Sequence, residues 1–308
     1  MVRPVVGAFR IFVKKKEGMT RRYPAKLLVF GEYSLLRGSR ALCVPLREFA
    51  GHWAVRGSDT PTDHPLVGEW IAYLEREVEF LDNGALREAM VTEYFESSIP
   101  VGYGLGSSGA LCAAVYDRFG LDEVADIGVL KSRFAKMEQF FHGSSSGLDP
   151  LTSYLEQPLL VDGIDVRPVE MVASNRVNGR LFLLDSGRGR LTGPLVAQFL
   201  EQCRQPAFEK MCRNELAPAV DVAIRAFLGG QLNELEDQWA RISGLQLSYF
   251  RQMIPDDLMH LWSVGIESRA FSLKLCGAGG GGFFLGLRSE DKELPILPAG
   301  MRVLYPVL

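Results

Sequence analysis

The sequence predicts an α+β fold in which strands and helices are mixed rather than strictly alternating. Apolar runs that predict strands occur in both halves of the chain, at Lys26–Gly31, Leu181–Asp185, Phe271–Leu275 and Phe283–Leu287. Between them lie longer segments with apolar residues at helical spacing. The regular β-α-β alternation that would predict a parallel sheet is missing. The chain has 308 residues, enough for one large domain or two medium ones.

Each half has its own set of further predicted elements. In the first half we expect strands at Ala41–Leu46 and Thr92–Ser97 and helices at Pro65–Phe80, Ser107–Phe119 and Val129–Phe141. In the second half we expect helices at Leu195–Gln202, Pro218–Leu228, Leu232–Leu245 and Leu258–Ala270, and a last strand at Met301–Tyr305. Because the pattern of predicted strands and helices differs between the two halves, we expect a domain boundary near Val177–Gly179.

Composition narrows the class of protein. The chain is 47% hydrophobic and 23% charged, as is usual for a soluble globular protein. Its net charge of -3 gives no argument for binding nucleic acid or an anionic membrane, and no apolar run is long enough to span a bilayer. An odd number of cysteines without a C-x-x-C pair predicts reduced thiols and a cytoplasmic location. Cys203 and Cys212 are close enough in sequence to share a helix face or a metal ion.

The segment Pro100–Ala110 carries the strongest chemical signal. It has glycines at every second position, Gly102, Gly104 and Gly106, followed by Ser107, Ser108 and a helical pattern. Alternating glycines let backbone N–H groups turn toward one point, because no Cβ atom interferes. The start of the following helix adds unpaired N–H groups and a positive dipole end. The segment therefore predicts a polyphosphate-binding loop.

Three common phosphate-binding motifs do not account for this loop. The chain has no Gly-Lys-Ser or Gly-Lys-Thr, which excludes a Walker A loop. Counted from Gly102, Ser107 stands where a dinucleotide fingerprint needs its last glycine, and the G-x-G-x-x-G spacing of Gly104, Gly106 and Gly109 lacks the β-α-β alternation in which that fingerprint occurs. The catalytic and magnesium-binding signatures of protein kinases are also missing.

Three further segments complete a pattern. They are Pro24–Tyr33, with Lys26 at the head of an apolar strand; Glu138 with His142–Asp149; and Leu273–Gly282, a strand that runs into a glycine cluster. In this order, with the glycine loop between the first two, they resemble the GHMP superfamily of small-molecule kinases. Within it they are most similar to the mevalonate kinases of the shorter bacterial type.

The resemblance extends from about Pro24 to the last strand. It implies an N-terminal domain over residues 1–178 with a mixed sheet, a ferredoxin-like C-terminal domain over residues 179–308, and ATP in the cleft between them. Residues 1–22 precede the first motif, and we interpret the start of the chain as a mis-assigned extension or a loose tail. A homodimer is also suggested by the likeness.

Carried over by position, the resemblance implies a role for each motif residue. Asp149 would be the catalytic carboxylate that faces the acceptor hydroxyl, as a base or as an orienting charge, and Lys26 would pair with it. Ser108 and Glu138 would hold Mg²⁺, with Glu138 eleven positions before Asp149 as in mevalonate kinases. The residues around the ATP phosphates would be Gly102, Gly104, Leu105, Gly106, Ser107, Ser108, Gly277, Ala278, Gly279 and Gly280. The residues that line the acceptor pocket would be Glu32, Tyr33 and Ser146.

Elementary chemistry agrees with these roles. Phosphoryl transfer needs positioning and charge neutralisation more than covalent chemistry. Serine and glutamate supply the oxygen ligands that Mg²⁺ prefers, and a lysine beside an aspartate favours the charged form of both.

The chain departs from the family pattern at three positions. Tyr33 stands where many mevalonate kinases and galactokinases carry histidine, Ser145 replaces a frequent proline, and Gly109 replaces a frequent alanine. We interpret His142 as a structural hydrogen-bonding residue, because the sequence shows no carboxylate partner for it.

Two other classes of function compete with the kinase. Gly143–Gly147 matches the G-x-S-x-G elbow of hydrolases, with Ser145 as nucleophile. An elbow needs a strand before it and a helix after it, whereas the sequence predicts a helix before it and a turn at Asp149-Pro150. A non-catalytic nucleotide-binding regulator on the same fold is the second alternative.

Among kinase substrates the likeness favours mevalonate. Phosphomevalonate comes second, and homoserine or a sugar third. A phosphorylated acceptor would need additional arginine or lysine side chains. The candidates for that role are Arg21, Arg22, Arg188 and Arg190. The expected partner is a small molecule, with ATP and Mg²⁺ as cofactors and no nucleic acid or membrane.

Overall fold

The structure is a computed structural model that describes residues 21–60, 65–172, 177, 179–189, 192–290 and 292–308. The predicted extension at the start of the chain, apart from its last two residues, and Arg190 lie outside these ranges. All five cysteines are free thiols, as predicted. No described helix is long and apolar enough to cross a membrane.

The first sheet has five strands. They are β1 (Tyr23–Phe30), β2 (Ala41–Val55), β3 (Glu93–Ser97), β4 (Leu159–Asp162) and β5 (Asp165–Pro168). The order is β1-β2-β4-β5, and β3 pairs with the far end of the long strand β2. The four described pairings are all antiparallel, which differs from the mixed sheet that the resemblance implies. Direct connections such as the β4–β5 turn favour antiparallel pairing, since parallel strands need long crossovers.

Five helices within the described ranges accompany this sheet. They are α1 (Pro65–Glu77), α2 (Asn83–Thr92), α3 (Ser107–Phe119), α4 (Ile127–His142) and α5 (Leu148–Leu155). α3 is apolar on most sides and is buried, as expected for a helix that packs both on the sheet and on α5. A hydrophobic cluster that includes Trp70, Phe134 and Leu151 joins α1, α4 and α5.

The second sheet has four strands in the order β7-β8-β6-β9. They are β6 (Leu181–Asp185), β7 (Phe271–Leu275), β8 (Phe283–Arg288) and β9 (Arg302–Leu304). All its pairings are antiparallel, and the order is that of a ferredoxin-like sheet. The described residues between β8 and β9 form no helix, so the second helix of the full ferredoxin-like pattern is not seen there.

Helices between β6 and β7 cover this second sheet. They are α6 (Thr192–Gln202), α7 (Pro206–Met211), α8 (Ala217–Gly229), α9 (Leu232–Tyr249) and α10 (Asp256–Ser268). One π-helical turn, Cys212–Leu216, joins α7 to α8.

The two sheets share one hydrophobic core. Phe30 at the end of β1 packs edge-on against Phe227 of α8 and Trp239 of α9, with ring centroids 5.8 Å and 5.3 Å apart. Each sheet uses residues from one side of position 178 only. The predicted boundary at 178/179 requires this separation, but the boundary itself stays a prediction.

The predicted α+β class is confirmed, and most predicted elements are present within a few residues. The main difference lies at Asp149-Pro150, which begins helix α5 rather than a turn. Proline is tolerated in a first helical turn because the N–H that it lacks has no intrahelical partner there. Helix α2, capped by the Asp82 side chain, also was not predicted.

Candidate active site

Lys26 and Asp149 form an ion pair at the centre of the candidate site. β1 places Lys26, whose backbone N–H donates to the Leu105 carbonyl at 2.9 Å, and so the strand is attached to the glycine loop. Asp149 lies in the first turn of α5, and its Oδ1 is 2.8 Å from Lys26 Nζ. Burial is the largest single effect and lowers the pKa of Lys26, but the charge and hydrogen bond of Asp149, together with Cys43 and Cys276, outweigh it and raise the pKa overall. Lys26 therefore stays charged.

Two glycines let α3 and its loop approach Asp149 closely. Gly106 has φ +72°, and a Cβ atom there would lie 3.2 Å from both the Cβ and Oδ2 atoms of Asp149. A Cβ atom on Gly109 would lie 2.8 Å from the Asp149 carbonyl carbon. This explains why glycine replaces the alanine that is frequent at position 109 in the family pattern. The backbone of Asp149 occupies the space that an alanine methyl group would need.

Ser108 and Glu138 are neighbours, as the resemblance implies. Ser108 Oγ, in the first turn of α3, donates to Glu138 Oε1 at 3.0 Å, and it lies 3.1 Å from His142 Nε2. Glu138 Oε2 accepts a hydrogen bond of 2.5 Å from Ser145 Oγ. Glu138 is 4% exposed. Burial, followed by the nearby Asp149 charge, raises the pKa of Glu138 to about 7.

The donor set of Ser108 and Glu138 fits a magnesium ion. Among the described residues no lysine or arginine forms an ion pair with Glu138, so a buried carboxylate stands without a bonded cation. Mg²⁺ usually takes one or two protein oxygens and fills its other positions with water and phosphate. Within the described ranges no group of three or more His, Cys, Asp and Glu side chains is arranged to hold a metal ion.

The two glycine clusters lie against each other. Gly102, Gly104 and Gly106 all have positive φ, between +72° and +79°. A Cβ atom on Gly282 would lie 2.9 Å from the Tyr103 carbonyl oxygen, and the ring of Tyr103 packs on Phe283. The first loop is therefore brought next to the β7–β8 connection. Leu105 is buried beneath it, whereas Ser107 is half-buried at the helix start.

The second cluster is itself tightly packed. Gly277, Gly279 and Gly280 have φ near +78°, and the Gly280 N–H donates to the Met253 carbonyl at 2.6 Å. That N–H is therefore engaged within the protein in this structure. A Cβ atom on Gly279 would lie 2.4 Å from the same carbonyl oxygen.

Glu32 is engaged differently from the predicted acceptor contact. It is 3% exposed, and its Oε1 accepts a hydrogen bond from Lys274 Nζ on β7. Burial raises the pKa of Glu32, although the Lys274 ammonium acts in the opposite direction. In this structure Glu32 joins the two sheets.

Tyr33 also joins the two halves of the chain. Its hydroxyl donates to the Ala278 carbonyl at 2.6 Å, and its ring packs on Phe199 and Phe250. Its φ of +61° is unusual for a residue with a side chain. Ser146, the third predicted acceptor residue, is exposed, and its Oγ accepts a weak hydrogen bond of 3.4 Å from the Leu148 N–H.

The candidate arginines for a phosphorylated acceptor are partly committed elsewhere. Arg21 pairs with Asp117 and donates to the Tyr154 carbonyl. Arg188 forms an exposed ion pair with Asp257. Arg22 is exposed.

The sequence did not predict that His142 lies next to Ser108 and Glu138, or that Lys274 pairs with Glu32. His142 follows Glu138 by four positions on α4, a spacing that puts both on one helix face and could have revealed their relation. Lys274, in the middle of an apolar strand before a glycine cluster, carried a signal as well: a charge at a buried position needs a partner.

The elbow motif of the hydrolase alternative is placed differently from a nucleophile. A helix does follow it, contrary to the sequence prediction, but helix α4 rather than a strand precedes it. Ser145 Oγ donates to Glu138 and accepts the Gly147 N–H at 2.9 Å. Its hydroxyl is thus used to shape the loop.

Two cavities lie apart from these motif residues. One of ≈ 70 Å³ is apolar and lies beside Trp53 and Trp70. The other, of ≈ 380 Å³, lies beside Trp239, Arg269 and Arg288 at the outer edge of the second sheet.

Comparisons with known proteins point to one group of enzymes. Residues 66–157 match the family described as GHMP kinases N terminal domain. Mevalonate kinase from Thermococcus sibiricus is 27% identical, covering 88% of this chain and 89% of the relative. Mevalonate kinase from Archaeoglobus fulgidus is 26% identical, covering 92% and 95%.

Solved structures show the same fold. The chain matches mevalonate kinase from L. major in complex with R-mevalonate with a TM-score of 0.61 and 18% identity, over 91% of this chain and 90% of that one. It matches Streptococcus pneumoniae phosphomevalonate kinase in complex with phosphomevalonate and AMPPNP with a TM-score of 0.60 and 16% identity, over 89% and 93%. With the motifs in register on this fold, residues 66–157 match a GHMP kinase N-terminal domain, and the sequence relatives named here, which are similar to this chain over most of its length, are mevalonate kinases.

Proposed function

We propose that this protein is an ATP-dependent kinase that transfers a phosphoryl group to the hydroxyl of mevalonate, with Mg²⁺ as its cofactor. The observation that carries the proposal is the Lys26–Asp149 ion pair of 2.8 Å, placed against Gly106 of the glycine loop and next to Ser108 and Glu138. A basic and an acidic side chain thus lie beside the glycine loop that we predict to bind phosphate and the Ser108–Glu138 pair that we predict to bind the cation.

The residues of the chain would divide the reaction as follows. Asp149 would accept the hydrogen bond of the acceptor hydroxyl and so orient its oxygen toward the phosphate. Lys26 holds Asp149 in place and would stabilise negative charge that develops on the acceptor oxygen. Backbone N–H groups at Gly102–Ser108 would bind phosphate oxygens. When bound through Ser108 and Glu138, Mg²⁺ would neutralise part of the phosphate charge.

The sequence relatives favour mevalonate over other acceptors, because the two named here are mevalonate kinases and align with this chain over most of their length. The solved structures do not discriminate, because kinases for mevalonate and phosphomevalonate match this fold about equally well. The engagement of Arg21 and Arg188 in ion pairs gives additional support, since a phosphorylated acceptor needs extra positive charge.

The proposal is tested with purified protein, ATP and Mg²⁺, by ADP release with mevalonate, phosphomevalonate, homoserine and galactose in parallel. We expect turnover with mevalonate and much less with the other three. A preference for phosphomevalonate would replace the substrate but keep the kinase. Turnover with none of the four would contradict the proposal.

A further inference from the structure

Ser108, Glu138, His142 and Ser145 form a continuous chain of hydrogen bonds, which we call the four-residue chain. Its contacts are Ser145 Oγ to Glu138 Oε2 at 2.5 Å, Ser108 Oγ to Glu138 Oε1 at 3.0 Å, and Ser108 Oγ to His142 Nε2 at 3.1 Å. The two middle members are the proposed cation ligands. The two outer members, His142 and Ser145, have no role in the mechanism above.

We propose that His142 and Ser145 are positioning residues that hold Ser108 and Glu138 in the orientation needed to bind a divalent cation. The inference rests on the proposed function, because it assumes that the cation binds at Ser108 and Glu138.

His142 offers an acceptor for the single hydrogen of the Ser108 hydroxyl. A serine hydroxyl has one hydrogen and two lone pairs. While the Ser108 hydrogen points to Glu138 Oε1, it lies between the two oxygens that must both face the cation. It has to turn to another acceptor, and His142 Nε2 is 3.1 Å from the same oxygen. A neutral imidazole with its proton on Nδ1 accepts at Nε2. His142 would thus accept the hydrogen bond of the Ser108 hydroxyl, and a lone pair of Ser108 Oγ would be free to face the cation.

Ser145 orients the carboxylate of Glu138 by donating a hydrogen bond to one of its oxygens. Ser145 Oγ is itself fixed, because it accepts the Gly147 N–H at 2.9 Å within the loop before α5. Its hydrogen is therefore directed to Glu138 Oε2, which leaves Oε1 facing Ser108. A proline at position 145, frequent in the family pattern, has no hydroxyl and could not make this bond. The anchoring of Glu138 by a side chain is thus tied to the serine of this sequence.

The closing experiment measures cation binding separately from activity. The affinity of Mn²⁺ for the protein–ADP complex is measured from the electron paramagnetic resonance signal of free Mn²⁺, and ADP affinity is measured without metal in EDTA. The variants are His142→Ala, His142→Gln, Ser145→Ala and Ser145→Thr. Ser144→Ala is the matched control, because Ser144 is exposed on the same loop.

Loss of an outer partner of a metal ligand typically weakens metal binding by on the order of 10-fold to 100-fold. We expect losses of this size for His142→Ala and Ser145→Ala, with metal-free ADP affinity unchanged. Gln at 142 places an acceptor oxygen near the position of Nε2, and Thr at 145 keeps the hydroxyl, so both should recover most of the affinity. In kinetics, the two alanine variants should need more free Mg²⁺ to reach half-maximal rate, and saturating Mg²⁺ should restore kcat.

Wild-type Mn²⁺ affinity in both alanine variants would overturn the inference. Equal losses in each alanine variant and its conservative partner would also overturn it, because they would show that the side chains act through packing. Mevalonate turnover by the wild-type protein, measured in parallel, decides the proposed function independently of these outcomes.

Discussion

Lys274 of β7 and Glu32, just beyond β1, form an ion pair that is almost completely shielded from solvent, with side-chain exposures of 0% and 1%. The Lys274 ammonium also donates to the Leu275 carbonyl at 2.7 Å and lies near the rings of Phe30 and Trp239. The pair connects the ends of the two sheets, and neighbouring Tyr33 makes a second connection through its hydrogen bond to the Ala278 carbonyl. The ion pair therefore links the segment that carries Lys26 to the segment that carries the second glycine cluster.

Removing one partner of this pair should destabilise the whole fold. Lys274→Met leaves the Glu32 carboxylate buried without its cation, and such changes typically cost about 3–5 kcal/mol. Urea unfolding should show this loss. The double variant Lys274→Met with Glu32→Leu should recover much of it, because no isolated charge remains. Lys136→Met, at an exposed position of α4, is the matched control. Equal stability of Lys274→Met and the control would contradict the prediction.

Asp149→Asn should greatly reduce catalysis, because asparagine has nearly the same shape without the charge, and it should also lower stability, because buried Lys26 loses its counter-charge. We expect kcat to fall on the order of 10²–10³-fold, the usual effect of losing one preorganised electrostatic contact. The KM for ATP should change little, since Asp149 lies opposite the acceptor in the proposed arrangement. Asp162→Asn, on the exposed end of β4, provides the control. Unchanged turnover in Asp149→Asn would remove Asp149 from the reaction.

Gly109→Ala should displace Asp149. The new methyl group would lie 2.8 Å from the Asp149 carbonyl carbon and the Pro150 nitrogen, closer than real contacts allow. Overpacking of this kind typically costs about 1–3 kcal/mol, and kcat should fall because Asp149 shifts from Lys26. Gly68→Ala in α1 is the control, since nothing lies within 4 Å of its Cβ position. Thermal unfolding and ADP release measure the two effects, and a Gly109→Ala variant as active and stable as Gly68→Ala would show that the helices adjust freely.

The Arg118–Glu93 pair should give a small acid-sensitive contribution to stability. Arg118 donates to both carboxylate oxygens, at 2.5 Å and 2.6 Å, and these hydrogen bonds lower the pKa of Glu93 from its usual 4.5. A carboxyl group with a lowered folded-state pKa stabilises the fold above its unfolded pKa, and the contribution disappears as pH falls through the folded value. Because both groups are partly exposed, we expect at most about 1 kcal/mol.

The variant Arg118→Gln tests this relation. It should be less stable than wild type at pH 7, and the difference in free energy of unfolding should vanish as the pH is lowered through the range below 4.5. Arg76→Gln, which removes an exposed pair with Glu77, should show no comparable trend. A difference between Arg118→Gln and wild type that stays constant with pH would mean that packing of the arginine, rather than the titrating carboxyl, is responsible.

The local features of this protein can be read from its amino-acid pattern. Apolar periodicity predicted most strands and helices, because each pattern reflects which face of that element is buried. The glycine loop was found from a short-range pattern whose backbone requirements are visible in a few residues, whereas the roles of Lys26, Glu138 and Asp149 were inferred from the resemblance to a family.

Contacts between side chains that are distant in sequence become visible only in the folded chain. Lys274 lies more than two hundred positions from Glu32, and Ser108 reaches His142 and Glu138 from another helix. Such contacts depend on strand order and on close helix approach, which local periodicity does not encode. At Asp149-Pro150 a helix begins where a turn was expected, and Gly109 of α3 lies directly against its first backbone atoms.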